Sequence, residues 1–571
     1  LMYGLQLFDS WLYYEEKPFI HIEAIPTFEF LKEQVDTGYF EGLIRTYLLD
    51  NPHGAVVIIR PEKGRTARMD KELADSLKAY KESLSAEEVE ALVQATEDLE
   101  AYQEEESAPE DLAKIPVLRR EDISRETAPI YNTEMDADGV KMVHHNVETN
   151  GIGYATLMFD LSGIAEDKLP YVGILQSVLG IIDTTNYEYG ALFNEINVHT
   201  GGIGTSLELY PDVTKVKEKE FRATFEMKGK ALYPKMDVLF SMMREILMES
   251  TLDDEKRLKE IIAMLRSRLQ MSFLSSGHTT AALRALSYTS PIAKFKDDTD
   301  GIGFYEVVKA IEEDFDGHKE ELIRNLKEIS AKIFRADNLM VSYTSAEQGL
   351  EPMLVAFGAV RDSLNDHCGT EAAAGLRTGE GVQAGEGART GDLQAAADVD
   401  PETACVIHCR KRNEGFKTSS KVQYVARAGN FIDGGAEYTG ALQILKVILS
   451  YDYLWQNIRV KGGAYGCMSN FNRIGEGYLI SYRDPNLEKT MEIYEGVVDY
   501  LENFNVDDRD MNKFIIGTIS NIDRPMNPAA KGSRSMNLYM NHVTEEMIRE
   551  EREQILTAGQ SDIRALSKVL R

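Results

Sequence analysis

The sequence predicts an α+β protein in which one kind of domain occurs twice. The chain has 571 residues, which at about 100–200 residues per domain corresponds to three or four packing units. Apolar residues make up 43% and charged residues 27%, as in soluble globular proteins. Strand-like runs such as Ile152–Phe159 alternate with long helical runs such as Asp253–Ser272 and His318–Phe334. A glycine-containing segment also recurs, and it suggests a duplicated unit.

Charge and cysteine content exclude several classes of partner. The net charge of −31 repels phosphate backbones and anionic lipids, so we expect neither nucleic acid nor membrane surfaces as partners. The longest apolar runs, such as Ala55–Ile59 and Leu445–Leu449, are far shorter than the roughly 20 residues that span a bilayer. Four cysteines suit a reducing compartment. The expected location is therefore the cytoplasm, or an organelle matrix in a eukaryote.

The N-terminal region predicts one strand followed by a helical hairpin. The run Ala55–Ile59 is rich in β-branched residues and predicts a buried strand. From about Ala67 to Ser107 the apolar spacing is helical. Ser85 and Glu88 have the spacing of a capping box, which predicts that a second helix begins there. Two helices joined by so short a turn predict an αα-hairpin.

A change in composition separates the two larger domains. Residues 116–366 predict a mixed α and β domain. Residues 369–399 are rich in glycine and alanine and contain no aromatic residue, so they predict a mobile linker. A last domain is expected from about Pro401 to Arg571.

An internal repeat relates these two domains. Residues 192–204 align with residues 454–466, with one extra residue at Thr200, and each copy ends in a double glycine. A strand containing Tyr154 or Tyr424 and an apolar helix precede each copy in the same order. We therefore expect two homologous domains. Arg459 occupies the position of Asn197, so a site built on this arginine belongs to the last domain alone.

No complete metal or catalytic motif is present. Neither HExxH nor its inverse HxxEH occurs, and the nearest patterns, at His145 and His542, each lack the second histidine. The run Cys405–Cys409 predicts a strand with buried cysteines, because alternation places His408 on the opposite face. No phosphate-binding or dinucleotide motif occurs. The chain thus predicts no metal site of its own.

Four motifs resemble a known family over nearly the whole chain. They are the blocks RVKGGAYG, SYRDPN, NIDRP and NPH, at residues 459–466, 481–486, 521–525 and 51–53. Together with the helical hairpin, they resemble the C-terminal half of the presequence-protease branch of the pitrilysin/insulinase zinc peptidases. The resemblance implies four homologous α+β domains in two halves that close around unfolded peptides.

The resemblance also implies a domain plan, in which each peptidase-like domain combines an antiparallel sheet with helices. The plan is the tail of a second domain (1–30), a helical-hairpin linker region (31–125), a non-catalytic third domain (126–366), a flexible linker (367–400) and a fourth domain (401–571). Zinc is expected in an N-terminal catalytic half, the main partner, which precedes this chain. In the third domain, Gly173–Ser177 is the expected counterpart of HxxEH, without either histidine or the glutamate. The chain alone is therefore expected to be inactive.

The resemblance assigns substrate binding to Arg459 and Tyr465, with Gly462 and Gly463 allowing the backbone to turn between them. A guanidinium and a phenol are both donors that can hold a peptide carbonyl. The structural alternative is that Arg459 pairs with an acidic neighbour while Tyr465 packs in a core. Two other functions remain open at this point, a non-catalytic peptide-binding or partner subunit of the same fold and a purely structural repeat protein.

Overall fold

The N-terminal region forms a helical unit of its own. The computed structural model describes residues 2–105, 107–112, 114–375 and 407–571, and the chain divides into two compact units, Leu1–Ile115 and Pro116–Arg571. The first unit contains one π-helix, Arg45–Leu49, and six α-helices: α1 (Met2–Trp11), α2 (Ile25–Glu33), α3 (Tyr39–Ile44), α4 (Arg65–Ser83), α5 (Ala86–Glu104) and α6 (Pro109–Leu112).

The capping box predicted at Ser85 is confirmed. The Ser85 hydroxyl accepts from the Glu88 backbone N–H at 3.2 Å, and the Glu88 carboxylate accepts from the Ser85 N–H at 2.8 Å. These bonds satisfy two donors at the start of α5 that have no partner within the helix. Helices α4 and α5 therefore follow each other across Leu84 and Ser85, as the sequence predicts.

The strand predicted at Ala55–Ile59 is wrong. This segment has no regular structure, and its Val56 and Ile59 side chains are 90% and 89% exposed. A strand needs a partner for its backbone groups, and the described residues of the first unit contain no other strand. The β-branched composition alone therefore does not produce a strand here.

The third domain is built on a six-stranded sheet with strand order β1-β2-β6-β3-β5-β4. The strands are β1 (Thr133–Ala137), β2 (Val140–Asn146), β3 (Ile152–Asp160), β4 (Ile203–Pro211), β5 (Phe221–Leu232) and β6 (Leu339–Ser345). All neighbouring pairs are antiparallel except β2 and β6, which are parallel. The expected antiparallel sheet is thus a mixed one.

Nine helices accompany this sheet among the described residues. They are α7 (Leu169–Val178), α8 (Tyr189–His199), α9 (Met236–Met248), α10 (Glu255–Ser275), α11 (Gly277–Leu286), α12 (Pro291–Asp300), α13 (Ile302–Glu313), α14 (Phe315–Ile333) and α15 (Leu350–Gly375). The apolar core lies between helices and sheet and contains fully buried side chains such as Leu157, Phe225 and Leu326.

The fourth domain has a smaller sheet, with strand order β7-β9-β8 and only antiparallel pairs. Its strands are β7 (Ala426–Asn430), β8 (Gly466–Phe471) and β9 (Glu476–Tyr482), and its helices are α16 (Ala441–Ile448), α17 (Glu488–Glu495), α18 (Val497–Glu502), α19 (Asp508–Ile522), α20 (Pro528–Met540), α21 (Glu545–Thr557), α22 (Gln560–Ala565) and α23 (Ser567–Leu570). Two π-helices, Leu449–Tyr453 and Trp455–Val460, follow α16.

The predicted internal repeat is confirmed in three dimensions. The partial strand order β3-β5-β4 in the third domain matches β7-β9-β8 in the fourth. In each copy the first strand leads to an apolar helix, α7 or α16, and then to a double-glycine turn before the next strand. The second glycine of each pair is left-handed, with φ of 106° at Gly202 and 75° at Gly463. Both turns therefore require glycine for the same reason.

The two domains exchange helices. Helix α11 of the third domain packs on β7 and β9, while α20 of the fourth domain packs on β2, β4 and β6. Each contact lies at a glycine, because a Cβ on Gly277 would overlap the Tyr424 ring and a Cβ on Gly532 would overlap the Thr344 side chain. Met536 and Met540 of α20 join Val143, Met158 and Tyr210 in a small apolar cluster.

The segment before β1 also ties the domains together. Arg120 donates to Asn512 Oδ1 at 2.6 Å and to the Ala558 carbonyl at 3.0 Å. Buried Arg552 of α21 donates to the Ser124 carbonyl at 2.6 Å. The chain thus runs along the fourth domain before it enters the sheet of the third.

The segment between the two domains is only partly described. Helix α15 extends to Gly375, and the rest of the predicted mobile linker lies outside the described residues. Of the strand predicted at Cys405–Cys409, only residues 407–409 are described, and they are not a strand. Cys409 is exposed, and the His408 ring lies 3.1 Å from Glu166. Among the described residues no helix is long and apolar enough to cross a membrane.

Candidate substrate-binding surface

A tight glycine turn in the fourth domain positions Arg459 and Tyr465. The π-helix Trp455–Val460 ends where the Gly463 N–H donates to the Arg459 carbonyl at 2.9 Å and the Ala464 N–H donates to the Ile458 carbonyl at 3.0 Å. A Cβ on Gly462 would overlap that same Ile458 carbonyl. Both glycines are thus needed, Gly462 for close approach and Gly463 for its positive φ.

Arg459 and Tyr465 lie together on the surface. The Arg459 guanidinium carbon is 5.6 Å from the centroid of the Tyr465 ring and 4.1 Å from that of Trp455. Arg459 is exposed, and Tyr465 is 63% exposed. Arg459 forms no ion pair with any carboxylate among the described residues. The structural alternative, an ion-paired arginine and a core tyrosine, is therefore wrong.

Tyr465 is one member of a larger aromatic surface. Its ring meets Tyr482 edge-on at 5.6 Å, and Tyr482 contacts Tyr424 at 5.8 Å and His278 at 4.7 Å between centroids. We call Tyr424, Tyr465, Tyr482 and His278 the aromatic cluster. Burial lowers the pKa of His278, so this ring is neutral near pH 7. The guanidinium of Arg483 lies 5.4 Å from the Tyr482 ring centre and adds a second cation.

The cluster spans both domains. Tyr424 donates to the Leu274 carbonyl at 2.5 Å, and His278 begins the α11 helix of the third domain. Sequence reasoning missed His278 and the contribution of Tyr424, because no local pattern connects positions so far apart. Tyr482 and Arg483 could have been proposed from the SYRDPN block, where an aromatic and a cationic side chain are adjacent.

The SYRDPN block also holds the glycine turn in place. Asp484 is fully buried and accepts from the Asn486 N–H at 2.8 Å and from the Thr490 hydroxyl at 2.7 Å. The Asn486 side chain in turn donates to the Gly462 carbonyl at 2.7 Å. The two motifs that the sequence shows separately are thus one hydrogen-bonded structure, and it fixes the position of Tyr465.

Family models match most of the chain. The model for the region associated with subfamily C of the M16 peptidases matches residues 59–311, and the model described as "PreP C-terminal domain" matches residues 413–570. Protein HypA of Clostridium perfringens is 33% identical over 100% of this chain and 55% of its own length. Presequence protease 1, chloroplastic/mitochondrial, of Arabidopsis thaliana is 28% identical over 99% of this chain and 50% of its own length. The chain is a pitrilysin-like C-terminal half.

This pitrilysin-like half spans about half the length of the curated relatives it matches. A third relative, the mitochondrial presequence protease of Yarrowia lipolytica, is 26% identical over 94% of the chain and 50% of its own length. A crystal structure described as the peptidase M16 inactive domain from Pseudomonas fluorescens aligns with 12% identity and a TM-score of 0.47, over 77% of this chain and 95% of that one.

The helix of this pitrilysin-like half that was expected to replace HxxEH has no room for a metal ligand. Gly173 is buried in α7, and a Cβ there would overlap the Thr299 carbonyl and lie 2.9 Å from the Phe304 ring. The Gln176 amide donates to the Thr205 carbonyl at 3.3 Å, and the Ser177 hydroxyl donates to the Gly173 carbonyl at 3.0 Å. The described residues contain no group of three or more potential ligands from His, Cys, Asp and Glu.

The cysteine next to the site is unreactive. Cys467 follows the glycine turn on β8 and is buried. Burial raises the pKa of its thiol to about 12, although the positive charge of Arg459 acts in the opposite direction. Since the thiolate is the nucleophilic form, Cys467 does not provide a nucleophile at neutral pH.

Proposed function

We propose that this chain is the substrate-holding half of a zinc metalloendopeptidase that degrades unfolded peptides inside a closed chamber. The chain contributes half of the chamber wall and the donors that hold the peptide. A preceding N-terminal half supplies the zinc site, and the two halves close around the substrate. The similarity to presequence proteases over about half of their length supports this division.

The observation that carries the proposal is the exposed pair of Arg459 and Tyr465. The two aromatic rings beside the guanidinium hold it in position without a carboxylate. Its N–H groups and the Tyr465 hydroxyl can then donate to a peptide carbonyl. When that carbonyl is attacked, negative charge develops on its oxygen, and fixed donors stabilise this charge. Gly462 and Gly463 carry no side chain that would keep an extended peptide away.

Zinc does not fit the described residues of this chain, because Gly173 is enclosed and no other cluster of ligands is present among them. We therefore assign no step of the reaction to a metal bound here. The role of the chain is to bind and orient the peptide, and to help exclude water when the halves close. We further propose a reducing compartment, the cytoplasm or an organelle matrix, for the complete protein.

Peptide binding by the purified chain tests this proposal. The probe is a short unstructured peptide, and the measurement is isothermal titration calorimetry. Arg459→Ala removes a fixed donor, so we expect binding to weaken by about tenfold, which corresponds to about 1.4 kcal/mol. Arg549→Ala, which removes the same charge from an exposed position on α21, is the matched control. Equal affinities for the unmodified chain and Arg459→Ala would contradict the proposed role of the pair.

A further inference from the structure

A pair of cations in the fourth domain has no anionic partner. Lys446 on α16 is half-buried, and its ammonium donates to Asn470 Oδ1 at 2.9 Å. Arg524 follows the end of α19 and donates to Asn521 Oδ1 at 2.6 Å. Both contacts are with neutral amides. Within the described part of the chain, neither cation forms an ion pair with a carboxylate.

This arrangement is unfavourable unless an anion joins it. The chain carries 94 acidic and 63 basic residues, so a carboxylate partner would be easy to provide. Instead, burial and the nearby positive charge of Arg524 both lower the pKa of Lys446. A group whose pKa is perturbed by burial and by a like charge is a candidate for function. A bound anion would relieve the repulsion between the two cations.

The internal repeat places Lys446 at a defined position. Pairing α7 with α16 aligns Lys446 with Gln176. In both copies the backbone carbonyl at this position accepts from a hydroxyl on the following strand, from Thr205 at 2.8 Å and from Ser469 at 3.3 Å. The lysine is therefore a difference between two equivalent positions, and only the fourth domain has a cation there.

The surroundings of Lys446 are polar. Gln443, three residues earlier on α16, donates to the Phe471 carbonyl at 3.1 Å, and Ser450 lies 3.4 Å from the Ser469 hydroxyl. Gln443, Lys446 and Ser450 have the spacing of one helix face. This face runs along β8, the strand that begins one residue after Tyr465. The cations thus lie on the same sheet as the glycine turn.

We propose that Lys446, Arg524 and the Asn470 amide form an anion-binding site for a carboxylate of the bound peptide. An ammonium and a guanidinium make strong charge-assisted hydrogen bonds to a carboxylate, and the amide N–H₂ group adds neutral donors. The carboxylate comes from the C-terminus of the peptide or from an aspartate or glutamate side chain. This inference rests on the proposed function, since it specifies which peptides the same half binds best.

Three acetylated peptides of otherwise identical sequence distinguish the sources. The first has a free C-terminus and no acidic residue, the second is amidated and contains one glutamate, and the third is amidated and has no acidic residue. Binding of each to the full chain is measured by calorimetry. We expect Lys446→Met to weaken binding of a carboxylate-bearing peptide by about tenfold. The amidated acid-free peptide keeps its affinity. The peptide that loses affinity identifies the source of the carboxylate.

Two further variants control for charge and folding. Lys446→Arg preserves the cation, so it restores the preference for carboxylate. Lys489→Met removes the same charge from an exposed position on α17 and leaves all three affinities unchanged. The melting temperature of each variant is measured alongside, so that loss of folding is recognised.

The outcomes separate this site from the proposed function. If all three peptides bind and Lys446→Met changes none of the affinities, or all of them equally, the anion site is wrong and peptide binding stands. If the unmodified chain binds none of the peptides, both proposals are overturned.

Discussion

At the scale of single residues, Arg459 shows how a surface arginine is held without an ion pair. The faces of Trp455 and Tyr465 attract the guanidinium by their π electrons. Because no carboxylate occupies its N–H groups among the described residues, they stay available to a ligand. Removing the side chain leaves no buried charge behind, so the consequence falls on function rather than on stability.

We therefore expect Arg459→Ala and Tyr465→Phe to lower kcat/KM of the complete enzyme by roughly a hundredfold each, the usual effect of losing one fixed donor to a developing oxyanion. The melting temperature stays nearly unchanged, because both side chains are exposed. Kinetics with a fluorogenic peptide and calorimetric melting of the same preparations measure the two effects.

Asn197 provides the matched control for this pair. It occupies the position of Arg459 in the third domain, is exposed, and its amide donates to the Phe193 carbonyl at 2.8 Å. Asn197→Ala is expected to be nearly silent in the same assays. A large fall in the melting temperature of Arg459→Ala, with unchanged turnover by the folded fraction, would show instead that the pair is structural.

His145 gives the protein a dependence on pH. It is fully buried on β2, and its ring nitrogens lie 2.7 Å from the Tyr131 carbonyl and 2.9 Å from the Ser342 hydroxyl. Burial lowers its pKa from 6.5 to about 4. The folded state thus binds fewer protons than the unfolded state between these values, so stability is full above pH 6.5 and is lost as the pH falls toward 4.

The expected loss from His145 over this interval is about 3 kcal/mol in the free energy of unfolding. Urea unfolding at pH 7.5 and at pH 5 measures it. His145→Asn lowers stability at pH 7.5 but reduces the difference between the two pH values. The remaining difference includes His144, whose pKa burial also lowers. The exposed His408 is the control, since His408→Asn leaves the difference unchanged. An equal pH difference in His145→Asn and the unmodified chain would contradict the assignment.

At the scale of elements, local signals predicted what local forces determine. The capping box at Ser85, strand β3, helices α10 and α14 and the double-glycine turns all follow from short-range hydrogen bonds, periodicity or backbone conformation. The strand at Ala55–Ile59 was wrong because strand formation depends on a partner, which composition does not reveal. The helix exchange could not be predicted either, because glycines such as Gly532 have no sequence signature of contact with a distant sheet.

The helix exchange makes Gly532 sensitive to a single methyl group. A Cβ there overlaps the Thr344 side chain on β6, so Gly532→Ala must push α20 away from the sheet. We expect a loss of about 1–3 kcal/mol, the usual cost of overpacking, which outweighs the gain of up to about 1 kcal/mol in helix propensity. Urea unfolding of the purified variant measures the change.

Gly517 on α19 is the matched control for Gly532. A Cβ at Gly517 would lie 3.4 Å from its nearest neighbour, Val447 Cγ1, which is an ordinary contact. Gly517→Ala is therefore expected to be neutral or slightly stabilising. If both alanine variants had the same stability, the close packing of α20 on the sheet would not be what limits position 532.

At the scale of the whole molecule, the sequence predicted the centre of the candidate site but not its extent. Arg459 and Tyr465 were found because they lie within one short block with two glycines. His278 enters the same surface from a different domain, through the packing of α11 on β7 and β9. Contacts of this kind arise only when the two domains fold against each other, so the aromatic cluster is a property of tertiary structure.

The division of labour between two halves predicts that the isolated chain binds no stoichiometric zinc and cleaves no peptide. The reason is structural, because Gly173 leaves no space for a ligand on α7 and the described residues offer no other group of ligands. The chain is dialysed against zinc and then buffer, its zinc content is measured by elemental analysis, and cleavage is followed by mass spectrometry. We expect far less than one zinc per chain and intact peptide, although the same peptide binds and Arg459→Ala weakens that binding. One tightly bound zinc per chain, together with cleavage that a chelator abolishes, would show that this half is a peptidase in its own right.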